Sequence, residues 1–262
     1  SFGLWNLLMD PDTKILVVSA SKSRSDDFSS FCHRLIREMP ILQHLSPDES
    51  QRSSKIAWDV GPAKAAHSPS CKSVGITGQL TGSRANLIIA DDVEVPGNSA
   101  TVGARSKLSE AIKEFEAIIV PDTGEIVYLG TPQSQESIYT ELPERGYDLR
   151  IYPSRVPEDP GVYGDRLASY VSSLNQDPGS PTDPDRFSHE ELLEREASYG
   201  RTGFQLQYQL DVRLSDLSRH PLRLTDLIVM DCDSEVGPER VVWQSSEVWE
   251  ALPNTGFSRD KY

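Results

Sequence analysis

Leu87-Ile88-Ile89-Ala90 runs without a polar break into Asp91-Asp92-Val93-Glu94. An apolar run that ends in acids reads as a strand buried on both faces, the pattern of a parallel sheet covered by helices. Such a sheet restricts where chemistry can occur, because ligands of open α/β sheets sit outside the carboxyl ends of the strands. A second strand, Glu125 to Leu129, ends in Gly130-Thr131-Pro132-Gln133. Two strands with polar tips, one acidic and one hydroxyl-bearing, are what a nucleotide-hydrolysing sheet needs.

Strand and helix signals alternate to about residue 153. Residues 1–9 read as the second half of a helix, and Lys14 to Ala20 as a buried strand. Ser21 to Met39 reads as a helix with Phe28, Phe31, Leu35 and Ile36 on one face. Lys55–Val60 and Lys72–Ile76 read as short strands. Asn98 or Ser99 is expected to cap a helix that carries Leu108, Ile112, Phe115 and Ile119 at helical spacing. Ile138–Leu142 then makes a short helix and Tyr147–Tyr152 a further strand. The expected fold is α/β, a mainly parallel sheet flanked by helices.

Beyond Pro153 the chain becomes Pro- and Asp-rich, with a second linker-like stretch at Asn175–Pro184. Ser188-His189-Glu190-Glu191 is a capping box that opens a helix to about Tyr199, continued from Gly203 to Leu210. Residues 1–153 are thus expected to form a core and 154–262 a smaller, partly irregular subdomain.

The net charge of −14 argues against a protein that coats nucleic acid with its whole surface. It leaves room for a local basic face, and small basic clusters lie at Lys22-Ser23-Arg24, at Arg34 with Arg37, and from Arg219 to Arg223. Each of these also reads as solvated surface charge. No apolar run approaches the ~20 residues of a membrane span. Cys32, Cys71 and Cys232 are far apart and form no CxxC pair, so neither a zinc ribbon nor a disulfide framework is indicated. A reducing, cytosolic setting fits that usage.

A carboxylate that closes a buried strand, as Asp91 does, can hold the water shell of a magnesium ion. Asp92, or Glu94 two residues on, could orient or deprotonate an attacking water. The Thr131 hydroxyl, between a glycine that permits a sharp bend and a proline that fixes the next turn, could reach a terminal phosphate. Arg84 lies in the loop Thr77-Gly78-Gln79-Leu80-Thr81-Gly82-Ser83-Arg84, from which a guanidinium could be presented to a phosphate, including one in a neighbouring subunit. Each feature also has a plain structural reading: an Asp pair that caps a loop, a strand exit, a surface arginine. No GxxxxGK followed by Ser or Thr occurs, so a complete phosphate cradle is not encoded in these residues.

Taken together, these segments resemble the large terminase subunits of tailed double-stranded DNA phages, most nearly the short-tailed group. The likeness rests on Lys14–Lys22, His67-Ser68-Pro69-Ser70, Lys72–Arg84, Ile88–Glu94 and Tyr128–Gln133, and downstream on Gly179–Phe187 and Tyr199-Gly200 with Gly203-Phe204. It implies a DNA-packaging ATPase with an additional-strand, RecA-like P-loop core. In that family Asp91 would be the Walker B metal carboxylate, and the next acidic position would be the catalytic one. Here that position is Asp92, with Glu94 close by. Gly130-Thr131-Pro132 would be the coupling motif, and Arg84 a trans-acting finger. Residues 154–262 would be a lid and linker. The Walker A loop is expected upstream of Ser1 and a nuclease domain beyond Tyr262. ATP and Mg2+ are the implied cofactors. Double-stranded DNA, the portal protein, the small terminase subunit and further copies in a ring are the implied partners, with work done in the host cytoplasm at the procapsid portal. Two other readings remain at this stage: a metal-dependent nuclease built on Asp91, Asp92 and Glu94, and a non-catalytic docking segment.

Overall fold

A computed structural model describes residues 2–80, 82–134, 136–213, 241–243 and 249–251. Two compact units are distinguished, Ser1–Arg219 and His220–Tyr262. In the second, Val241–Trp243 and Trp249–Ala251 pair as an antiparallel ribbon. The basic run Arg219–Arg223, Cys232 and Thr81 lie outside the described residues.

The first unit is built on a five-stranded sheet. Its strands are β1 (Ile15–Ser19), β2 (Ala57–Trp58), β3 (Cys71–Gly75), β4 (Leu87–Asp91) and β5 (Glu125–Leu129), ordered β2-β3-β1-β4-β5. All neighbours are parallel except β2, which pairs antiparallel with β3. The register sets Ser19 level with both Gly75 and Asp91, and Asp91 level with Leu129. The carboxyl ends of the four parallel strands therefore form one edge. The chain leaves β1 for β3 on one side and then returns to β4 on the other, so that edge includes a reversal of strand order, the usual place for a ligand crevice.

Strand alternation explains how both faces are buried. Leu16, Val18, Ile88 and Ala90 point to one face, where they meet Leu108, Ile112, Phe115 and Ile118 of α4 (Val102–Ile118). Ile15, Val17, Leu87 and Ile89 point to the other, against Leu4 and Leu7 of α1 (Phe2–Met9) and Cys32 and Ile36 of α2 (Lys22–Glu38). The mainly parallel α/β layering expected from the sequence is what is observed.

Several local expectations are corrected. Of the face expected for α2, Ile36 is buried and Phe28 and Leu35 pack half-buried against the core, but Phe31 is 58% exposed, and Ser25, Ser29, Cys32 and His33 are buried instead. At its first turn the helix comes so close to β3 that a Cβ on Gly75 would stand 2.9 Å from the Lys22 backbone nitrogen. Helix α4 is capped by Thr101, whose hydroxyl accepts from the Ala104 N–H at 3.2 Å. Asn98 and Ser99 lie instead in a preceding short helix, α3 (Pro96–Ser99), and Ile118 rather than Ile119 is buried. The strand expected over Lys55–Val60 contracts to β2. No strand forms over Tyr147–Tyr152. The backbone there makes a single bridge, Ile151 to Leu167, while Tyr147 packs edge-on against Tyr128 and its hydroxyl donates to Glu116.

After β5 come a short helix, α5 (Ile138–Glu141), and an irregular region with two further helices, α6 (Ser169–Ser173) and α7 (His189–Gln207). The capping box forms as expected: Ser188 Oγ accepts from the Glu191 N–H, and the Glu191 carboxylate accepts from the Ser188 N–H. Gly200, at φ +67°, breaks the helix near Tyr199, a conformation favourable only without a Cβ. Tyr163, Leu167, Ala168 and Val171 form a small separate core in this region. Among the described residues no helix is long and apolar enough to cross a membrane.

Candidate active site

Asp91 ends β4 and is half-buried. Asp92 follows in the left-handed region at φ +47°, which aspartate tolerates better than most residues. Its N–H donates to Leu129 O at 2.8 Å, and its carbonyl accepts from Ala20 N–H at 3.2 Å. The turn is thereby tied to β5 on one side and to the exit of β1 on the other. The Asp92 carboxylate faces Arg24 of α2, with Nη1 to Oδ2 at 3.4 Å. Burial raises the Asp91 carboxyl above its ordinary range; the neighbouring Asp92 charge raises it further and Arg24 partly opposes both.

The left-handed turn separates two acids that an extended strand would set on one face. Val93 and Glu94 are carried inward, and Glu94 is 1% exposed. Its carboxylate accepts from Gln133 N–H at 3.0 Å, Ser137 Oγ at 3.0 Å and Ile138 N–H at 2.8 Å. Burial pushes this carboxyl up, and those three donors together with Arg105 pull it back. Its backbone N–H points at Tyr139 Oη. Glu94 thus ties the turn after β4 to the segment after β5. Tyr139 also closes over Gly130, where any Cβ would run into its ring and hydroxyl.

Asp91, Asp92, Gly130 and Thr131 line one cavity of about 960 Å³, within the size range of small-molecule sites. Glu94 does not line it. Arg84 lies elsewhere: it precedes β4, at the opposite edge of the sheet, and borders a smaller cavity of about 460 Å³ with Lys14, His67 and Ser68. Five strand residues separate the two edges by ~13 Å, so Arg84 does not join the strand-tip group within one chain. Sequence reading missed Arg24 and Tyr139 as members of the site. The Lys22-Ser23-Arg24 cluster was the only signal for the former, and nothing local signals the latter.

The tips carry an unpaired hydroxyl and a crowded pair of carboxylates. Ser19 Oγ, level with Asp91, is buried without a hydrogen-bond partner among the described residues. Asp91 and Asp92 crowd one another in a way that a cation relieves. Among the described residues no three His, Cys, Asp or Glu side chains are disposed to hold a metal by themselves. Mg2+ is characteristically held by one or two carboxylates plus phosphates.

Fold and site together define an α/β protein with a ligand crevice at the carboxyl edge of a mostly parallel sheet. No protein-family model matches the chain. It is 49% identical, over 272 aligned positions, to the terminase large subunit of Enterobacteria phage T3, a short-tailed phage. That match covers 99% of this chain and 46% of the relative, so the chain spans a little under half the length of the curated protein it matches. The resemblance to large terminase subunits holds across essentially the whole of this chain.

Proposed function

We propose that the strand-tip cavity binds Mg-ATP and that the chain supplies the hydrolytic core of a phage DNA-packaging motor. The reading rests chiefly on one observation: the acidic tip of β4 and the hydroxyl tip of β5 line a single cavity. Kinship with a terminase large subunit supports the same reading. The fold would then be a P-loop core of the additional-strand, RecA-like kind, with residues 1–153 as the ATPase core and 154–262 as lid and linker.

Within that site Asp91 would hold the metal ion through its water shell, and Thr131 would lie by the terminal phosphate. When bound, the ion supplies charge neutralisation for phosphoryl transfer. Asp92, half-exposed at the cavity wall, is the acid suited to orient a water. Glu94, its oxygens engaged by three donors, is suited to position Asp92 and the Gly130–Tyr139 segment together. A change at β5's tip would be passed through Glu94 and Tyr139 to α5, which is how Gly130-Thr131-Pro132 would couple nucleotide state to movement. Arg84, remote from its own chain's cavity, would act only on a neighbouring subunit in a ring. Double-stranded DNA, the portal protein and the small terminase subunit would be the partners, met in the host cytoplasm at the procapsid. The dispersal of Asp91, Asp92 and Glu94 disfavours a nuclease centre here, since two-metal cleavage needs carboxylates converging on ions ~4 Å apart.

The test is ATP turnover by the full-length protein with Asp91→Ala. Turnover is expected to vanish while the protein stays folded, and undiminished turnover would defeat the assignment.

A further inference from the structure

The strand tips form only one side of the cavity. The other side comes from residues 147–152, 162, 163, 166, 186 and 210–213, and it contains four arginines: Arg150, Arg166, Arg186 and Arg213. Two of them are already paired. Arg150 meets Asp148 at 2.9 Å, and Arg213 holds Asp211 through two nitrogens, the shorter contact being 2.8 Å. Arg166 and Arg186 make no ion pair among the described residues. Arg166 Nε donates to Tyr163 O at 3.3 Å, and the Arg186 guanidinium lies over the Phe187 ring at 5.4 Å. Both contacts orient a guanidinium without neutralising it. Across the gap, Asp92 takes its cation from Arg24 rather than from this wall. The cavity therefore has an acidic floor suited to a cation and an opposing wall with two uncompensated guanidinium groups. A ligand that is cationic at one end and polyanionic at the other satisfies both walls, and a planar guanidinium is the side chain best matched to phosphate oxygens.

The geometry points to Arg166 and Arg186 as phosphate-binding residues on the wall facing the strand tips, which on binding nucleotide draw residues 150–187 toward β4 and β5. This rests on the nucleotide reading above and adds the residues that would make the second half of the chain respond to it. Arg84 plays no part in it.

The experiment uses the full-length protein, a non-hydrolysable ATP analogue with Mg2+, and hydrogen exchange over residues 150–187. In the wild type the analogue is expected to bind and to slow exchange in that segment. Arg166→Gln with Arg186→Gln is expected to weaken the analogue about tenfold or more, the scale of losing charge-assisted contacts, and to abolish the protection. The corresponding double lysine variant, which keeps the charge, is expected to retain part of both. Arg186 is exposed, so Arg186→Gln alone serves as a variant that does not threaten folding. Wild-type affinity and protection in the glutamine variants would overturn this inference and leave the nucleotide site standing. Failure of the wild type to bind the analogue would overturn the nucleotide reading and this one with it. If inorganic phosphate alone gave the same protection, or if the variants lost DNA binding in nucleotide-free protein with analogue affinity intact, the wall would belong to another ligand and the inference would fail.

Discussion

Glu94 offers the sharpest division between a chemical and a structural acid. Its carboxylate satisfies the buried backbone N–H of Ile138, the part-buried N–H of Gln133 and the hydroxyl of Ser137. Glu94→Ala would strand the Ile138 N–H away from water, while the Gln133 N–H keeps some access to solvent and the hydroxyl can rotate to another acceptor. A buried donor left unmade costs about 1–3 kcal/mol, and the part-buried donor adds less. Relief from holding a charge in a buried position offsets part of that, and a net loss of about 2–3 kcal/mol is expected. That is a large share of the ~5–15 kcal/mol of an ordinary domain. Glu94→Gln keeps one acceptor oxygen but turns an NH2 toward a donor, for about 1–2 kcal/mol. The assay is urea unfolding of the full-length variants, read as a midpoint shift at unchanged slope, beside ATP turnover at a denaturant-free temperature where each is folded. Loss of turnover should follow loss of stability, with Gln milder than Ala in both. A Gln variant that unfolds at the wild-type urea concentration, binds nucleotide normally and hydrolyses none would refute the reasoning and make Glu94 the base.

Two further outcomes are expected. Gly130→Ala should lower stability by about 1–3 kcal/mol, the scale of overpacking, because the new methyl meets Tyr139; adding Tyr139→Leu should restore part of the loss in thermal melts. At Asp59, burial alone would raise the carboxyl, but hydrogen bonds from the Arg52 side chain and from the Arg52 and Ser70 N–H groups outweigh it and leave it below its ordinary 3.8. A carboxyl depressed in the folded state contributes stability that is present above the unfolded value and is lost as pH falls through the folded one. Unfolding free energy should therefore fall more steeply below about pH 4 in the wild type than in Asp59→Asn, and equal acid limbs in the two proteins would count against the network.

The strands and their tips were legible in the chain because the signals are local. An unbroken apolar run such as Leu87–Ala90 has few solutions other than a doubly covered strand, and the positions of β4 and β5 follow from it. The capping box at Ser188–Glu191 is likewise a bond between near neighbours. Where reading by periodicity failed, the deciding contact came from far along the chain. Tyr147–Tyr152 reads as a strand in composition, yet no sheet edge receives it.

The same division holds at the site. That Asp91, Asp92 and Thr131 would stand at strand ends is written in the sequence, since each terminates or follows an apolar run whose direction is fixed by parallel pairing. That Asp92 faces the cavity while Glu94 turns into the protein depends on a left-handed backbone at a single residue, held by hydrogen bonds with Leu129 of β5 and with Ala20 just past β1. Which arginines face the tips depends on how residues 150–213 pack across the gap. Local pattern determines what a segment can form. Only the assembled packing decides which of its polar groups meet one another, because that choice is made by partners tens of residues away.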